Sequence, residues 1–168
     1  MIALEVYANA YFRASKDPLA AYTQLLTFSK TFENDQQILD GINGNSKAYD
    51  SFKEIIESHF NHEFANLLGV LVQDGRVSEW SRFVNLYREI LVDKSLIFDV
   101  HIFSARSLST QDKSDLELLI KTKYGQHCEF RYDIDASLID GIKLVINHQT
   151  LDASVRGSLD KIKKEVLQ

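Results

Sequence analysis

Apolar residues recur at helical spacing through the first part of the chain and give way near Leu96 to shorter, alternating runs. Ala3, Val6, Tyr7, Ala10 and Ala14 predict a first helix, closed over residues 15–18 because a residue preceding proline is biased out of the α region. Pro18 stands near the start of a second, carried by Leu19, Tyr22, Leu25, Leu26, Ser29 and Phe32. A short third helix over residues 36–39 is expected to end at Gly41. Asn43, Gly44, Asn45 and Ser46 then form a loop, with Asn45 or Ser46 capping a fourth helix through Phe52, Ile55 and Ile56 toward Phe60. Asn61 opens a fifth, whose face of Phe64, Leu67, Leu68, Leu71 and Val72 is stopped by Asp74 and Gly75. Ser78 leads into a sixth, with Trp80, Phe83, Val84, Tyr87, Ile90 and Leu91 on one side. Six amphipathic helices joined by short connections predict an antiparallel six-helix bundle over residues 1–95.

From Leu96 the pattern is that of a small α+β domain, residues 96–168. Residues 96–103 alternate Phe98, Val100 and Ile102 against Asp99, His101 and Phe103, as a strand does. Ser109, with Asp112 three residues on, opens a helix through Leu116, Leu119 and Ile120 to a stop at Tyr124 and Gly125. Cys128, Phe130 and Tyr132 alternate with His127, Glu129, Arg131 and Asp133 in a second strand. Asp135 and Ser137 mark a turn, Gly141 permits positive φ, and residues 142–146 form a third strand that breaks at Asn147 and His148, with room for a fourth. Asp152 or Ser154 then caps a final helix bearing Val155, Leu159, Ile162 and Val166 on one face. The whole is an α+β fold: a helical bundle, then a short sheet with a terminal helix.

Composition narrows the function classes. With 19 basic against 24 acidic residues and a net charge of -5, the chain lacks the basic surface of a nucleic-acid binder. Its single cysteine, Cys128, excludes an intramolecular disulfide and fits a reducing compartment. No apolar run reaches the roughly 18 residues of a membrane span, and the N-terminus has no signal-peptide pattern, so membrane association is expected through a protein partner and not by direct insertion.

Neither G-x-x-x-x-G-K-[ST] nor G-x-G-x-x-G occurs, so no nucleotide cofactor is expected. His59, His62 and Glu63 lack the H-E-x-x-H spacing and a further ligand, and read as a solvated helix junction. Cys128 and His127 are adjacent on a strand and point to opposite faces, which leaves Cys128 a small buried hydrophobe. Asp133 and Asp135 can bracket a cation, but aspartate before a strand is ordinary turn chemistry. Arg156, in the first turn of the last helix, calls for a carboxylate of its own domain or of a partner, since a cation there opposes the helix dipole. Gly157 suits close helix packing. No catalytic, cofactor or metal residue is assigned. On the first helix, Ala3, Val6, Tyr7 and Ala10 form one stripe while Leu4, Ala8 and Tyr11 lie around the side, more apolar surface than one core contact uses.

Three motifs carry a family resemblance. Ile134-Asp135-Ala136-Ser137-Leu138-Ile139-Asp140-Gly141-Ile142 and Leu151-Asp152-Ala153-Ser154-Val155-Arg156-Gly157-Ser158-Leu159 resemble the C-terminal signature I-D-x-S-L-I-G-G-I … I-D-x-S-V-R-G-x-L of the delta subunit of the rotary F-type ATP synthase, the oligomycin-sensitivity-conferring protein family. Tyr7-Ala8-Asn9-Ala10-Tyr11-Phe12 is similar to its first-helix pattern Y-A-x-A-L-F. Residues 66–77 resemble its fifth helix and D-G-R exit. Asp140 replaces the usual first glycine, Tyr11 replaces the usual leucine, and the arginine before the first-helix motif is absent.

The resemblance implies a non-catalytic stator at the cytoplasmic face of the cell membrane. In that family the helical bundle grips the N-terminal helices of the alpha subunits, beside the neighbouring beta subunits, and the C-terminal domain engages the b subunits of the peripheral stalk. The expected alpha-facing groove comprises Tyr7, Ala10, Tyr11 and Ala14 with Leu67, Val70 and Leu71; the b-facing residues are Val155, Arg156, Leu159, Ile162 and Val166. Two other classes compete: a helical adaptor unrelated to energy coupling, and a small hydrolase built on Cys128 or the histidine pair.

Overall fold

The structure, a computed structural model, describes residues 3–32, 36–138 and 141–153. Helix α1 (Leu4–Ala14) is followed by α2 (Pro18–Phe32), α3 (Gln36–Ile42), α4 (Ser46–His59), α5 (His62–Gln73), a 3-10 turn (Val77–Glu79) and α6 (Trp80–Asp93). Side-chain caps set the starts. Asp17 accepts from the Leu19 and Ala20 amides at 3.1 and 3.0 Å, Asn45 from Ala48 at 3.1 Å and Asn61 from Phe64 at 2.8 Å. At the end of α5, Gly75 takes φ +65°, Arg76 N–H donates to Leu71 C=O (2.8 Å) and Gly75 N–H to Val72 C=O (3.1 Å), the bond pattern of a Schellman cap. Helix α3 departs from expectation. It runs through Gly41 to Ile42, with Leu39 and Ile42 buried, and the positive φ falls instead at Gly44 (+71°), whose N–H donates to Val72 C=O at 2.9 Å.

The chain divides into two compact units between Leu91 and Val92. In the first, Phe28 packs against Trp80 (ring centroids 4.7 Å), Phe64 (5.4 Å) and Phe60 (5.9 Å), while Trp80 donates its indole N–H to Ser29 Oγ at 2.9 Å. Helix α4 turns Tyr49 and Ile56 inward, and the Tyr49 hydroxyl donates to Ala65 C=O at 2.8 Å. A Cβ on Gly69 would lie 3.3 Å from the Tyr49 ring, so glycine here lets α5 approach α4 closely. Phe52 and Ile55, expected on the buried face of α4, are exposed, Ile55 by 56%. Tyr49 and Ile56, seven residues apart, span two turns and define the inward face, from which Ile55 is rotated away, while Phe52 sits at its margin, 37% exposed and lining a small cavity with Leu39 and Ile42.

In the second unit β1 (Phe98–Ser104), α7 (Thr110–Tyr124), β2 (Cys128–Ile134), β3 (Ile142–Ile146) and β4 (Gln149–Ala153) form a sheet in the order β2-β1-β3-β4, with β1 and β2 parallel and the other pairs antiparallel. Ser109 and Asp112 cap α7 reciprocally as a capping box, and these hydrogen bonds hold the Asp112 carboxyl below its usual pKa. Gly125 ends the helix at φ +94°. One sheet face supplies Val100, Ile102, Ile142, Leu144 and Ile146 to a core closed by Leu116 and Ile120 of α7. The other carries Arg131 paired to Asp99 (2.7 Å) and His101 to Asp133 (2.5 Å). Asp135 accepts from the Ser137 amide (2.9 Å) and hydroxyl (2.6 Å), which lowers its pKa and shapes the expected turn. Asp140 and the final helix expected through Val155, Arg156, Leu159, Ile162 and Val166 lie outside the described residues.

Asn147 (φ +44°) and His148 (φ +69°) join β3 to β4 in a two-residue hairpin of the type that needs positive φ at both positions. Histidine carries a side chain where glycine fits without cost, so His148→Gly is expected to raise stability by about 1 kcal/mol, measured by urea denaturation.

Candidate functional site

Helices α1 and α5 are tied together by the Tyr7 hydroxyl, which donates to Asp74 Oδ2 at 2.6 Å. That bond is the main cause of the raised Tyr7 pKa. On α1, Leu4, Ala8 and Tyr11 turn inward at i, i+4 and i+7; Val6, Ala10 and Ala14 are exposed, Val6 by 54%. On α5, Phe64, Ala65, Leu67, Leu68, Leu71 and Val72 are buried and Val70 is 44% exposed. The apolar surface left open on the two helices is therefore made of small and β-branched side chains. A polar chain flanks it. Arg82 of α6 bonds Glu5 of α1 (3.3 Å) and Glu79 (3.6 Å), and Arg76 bonds Glu79 at 2.6 Å.

The seven residues expected to line a groove on this face separate into two sets. Tyr11, Leu67 and Leu71 belong to the interior and not to the surface expected of them, because each lies on the inward face of its helix. Tyr7 is half-buried, and Ala10, Ala14 and Val70 reach the surface. Val6 was legible as part of the apolar stripe but not as its most exposed large member. Asp74 was legible only as a helix stop; its bond to Tyr7 spans 67 residues and has no local signal.

The Tyr11 ring packs tilted at 5.4 Å from Tyr87, whose hydroxyl donates to Pro18 C=O at 3.2 Å and whose pKa burial pushes up to about 12. Burial also raises the Tyr11 phenol above its usual range, and its oxygen has no hydrogen-bond partner among the described residues. Tyr11→Phe is expected to stabilise the protein by about 1 kcal/mol, since it removes an unsatisfied buried hydroxyl and leaves the ring. Thermal unfolding checks this by a higher Tm.

The candidates for chemistry are engaged otherwise. His59 Nδ1 contacts Ser58 Oγ at 2.8 Å and Ile55 O at 3.0 Å. Cys128 donates to Gly125 C=O at 3.2 Å, and burial raises its pKa away from a reactive thiolate. Asp133 is held by His101 and Asp135 by Ser137. Among the described residues no group of three or more His, Cys, Asp and Glu side chains is arranged to hold a metal ion, and no helix is long and apolar enough to cross a membrane. A crevice lined by Ser104, Lys113, Tyr132 and Asp133 has its charges partnered: Lys113 lies 4.8 Å over the Tyr132 ring, and Tyr132 donates to Glu117 at 2.9 Å.

Among the described residues, seven helices and a four-stranded mixed sheet, the helices grouped ahead of the sheet save one, define an α+β protein of two units. The family model for the ATP synthase delta (OSCP) subunit matches residues 4–166, and the chain belongs to that family. Similar proteins include the ATP synthase subunit delta of Hydrogenovibrio crunogenus, 25% identical over 96% of this chain and 94% of that one, and that of Nitrosospira multiformis, 27% identical over 92% and 90%. In fold, the chain is similar to one from the mitochondrial ATP synthase hexamer of Toxoplasma gondii, with a TM-score of 0.57 at 19% identity, covering 100% of this chain and 99% of that one. The protein is thus a non-catalytic peripheral-stalk subunit of the F-type ATP synthase.

Proposed function

We propose that residues 1–95 act as a six-helix bundle that holds the catalytic hexamer through an N-terminal helix of an alpha subunit, at its boundary with a beta subunit. The domain of residues 96–168 binds the b subunits through Val155, Arg156, Leu159, Ile162 and Val166. The complex would stand at the cytoplasmic face of the cell membrane, with this chain bound to protein and not inserted in lipid. As a stator it resists the torque of the rotor, so that rotation stays coupled to ATP synthesis or hydrolysis.

The observation that carries the alpha-facing part is the open apolar surface of Val6, Ala10 and Ala14 on α1 and Val70 on α5, helices joined by the Tyr7–Asp74 bond. Small side chains permit close approach of a partner helix, and Tyr7 adds contact area at the margin. A joint under cyclic load needs slow dissociation; nanomolar affinity corresponds to about -12 kcal/mol. Titration of the protein with a synthetic alpha N-terminal helix tests the reading. Ala10→Glu and Val70→Glu are each expected to weaken binding at least about a hundredfold, near 3 kcal/mol, by placing a charge in a desolvated contact. Unchanged affinity in both folded variants would overturn it.

A further inference from the structure

Glu63, Leu67, Val70 and Asp74 follow one another along α5 at i, i+4, i+7 and i+11, the spacing of a single stripe, with Asp74 as the C-terminal cap. The two ends of the stripe are acidic and its centre is apolar. Val70, the exposed apolar member, has Glu63 two turns before it and Asp74 one turn after it. Ala3, Tyr7, Ala10 and Ala14 repeat the same spacing on α1. The two helices run in opposite directions where they meet. The Tyr7 hydroxyl reaches Asp74 Oδ2 at 2.6 Å, and toward the other end of α1, after burial and Tyr87, the Glu63 carboxylate adds to the raised pKa of Tyr11.

Neither carboxylate has an ion-pair partner among the described residues. The bond from Tyr7 comes from a neutral phenol, so it orients Asp74 and leaves its charge uncompensated. Arg76, close enough to act on Tyr7, is held by Glu79 at 2.6 Å, and its side chain is only 13% exposed. Arg13, the exposed cation of α1, stands two turns beyond Val6, on the Val6 side of that helix. The open apolar surface is therefore acidic along its α5 border and basic only along the opposite one. Glu63 and Asp74 stand eleven residues apart, which at the rise of an α-helix is about 16 Å.

We propose, resting on the alpha-facing reading above, that Glu63 and Asp74 are the specificity-determining residues of this surface. They select a partner helix with Lys or Arg eleven residues apart and apolar side chains at the fourth and seventh positions after the first of them. Such a helix presents a stripe complementary to that of α5, cation on carboxylate at each end and apolar on apolar between. Ion pairs at the rim of an apolar contact fix register and rotation more than they add affinity, and they steer the encounter at low salt. With Arg13 on the other border, the cationic side of the partner turns toward α5.

Calorimetric titration of the full chain with the synthetic alpha N-terminal helix, at about 50 and 500 mM NaCl, tests the proposal. Glu63→Gln combined with Asp74→Asn keeps the side-chain shapes and leaves an oxygen for the Tyr7 hydroxyl. This double variant is expected to bind about tenfold more weakly at low salt and to lose most of the salt dependence seen in the wild type. The same peptide with its Lys and Arg replaced by Gln should bind the wild type and the double variant alike. Equal affinity of the wild type and the double variant for the unaltered peptide, with Ala10→Glu still weakened, would overturn the charge pattern but not the apolar contact. If the partner helix does not use this surface, Ala10→Glu and Val70→Glu bind as the wild type does, and the proposal falls with it.

Discussion

Leu71→Glu is expected to unfold the helical unit, whereas Val70→Glu, the same change one residue earlier, is expected to leave it folded. Leu71 is 0% exposed, in the last turn of α5 and turned about 100° around the helix from the exposed Val70. A carboxylate there loses its hydration without gaining a partner and forfeits the packing of a buried leucine, a combined cost above about 4 kcal/mol. That is a large part of the 5–15 kcal/mol typical of a whole domain. Val70 pays neither cost, and its change should stay within about 0.5 kcal/mol of wild type. Trp80, the single tryptophan and itself buried in this unit, reports the outcome. In urea titrations its emission should show a wild-type transition for Val70→Glu and no folded baseline for Leu71→Glu.

Asn147→Ala is expected to cost the second unit about 3 kcal/mol. The Asn147 side-chain oxygen Oδ1 accepts from the Asp99 amide at 2.8 Å, and its side-chain Nδ2 donates to Val92 C=O at 3.1 Å and Ile97 C=O at 3.4 Å. Alanine would strand a part-buried N–H, at about 1–3 kcal/mol, and would hold a left-handed conformation that costs about 1–2 kcal/mol without a short polar side chain to support it. Because Trp80 belongs to the first unit, the measurement is amide exchange at Val100 and Ile102 in β1. Their protection should fall by about two orders of magnitude.

Most helix starts and stops, α3 excepted, were legible because their signals are local. Asn45, Asn61 and the Ser109–Asp112 box each reach an amide three residues away, and Gly75 and Gly125 supply the positive φ that ends α5 and α7. The Asn147–His148 hairpin was legible for the same reason. What periodicity did not decide was which face of α1 turns inward, since both of its faces are apolar. The answer depends on Phe83 and Tyr87, more than 70 residues away, whose rings receive Tyr11. Helix α4 failed similarly: Ile55 read as core, whereas the inward face is that of Tyr49, whose hydroxyl reaches the Ala65 carbonyl, and Ile56. The parallel pairing of β1 with β2 had no local signal either, because a shared register thirty residues apart is set by the crossover through α7. Of the candidate site, the helices were legible from the family motifs, and the side chains that face outward required the packed structure.

A photo-reactive amino acid at position 10, activated in the assembled ATP synthase, tests the central assignment most directly. The account predicts a crosslink to the N-terminal helix of an alpha subunit, and none from the same probe at position 55, on the exposed apolar face of α4. Crosslinking to alpha from position 55 with none from position 10 would contradict it.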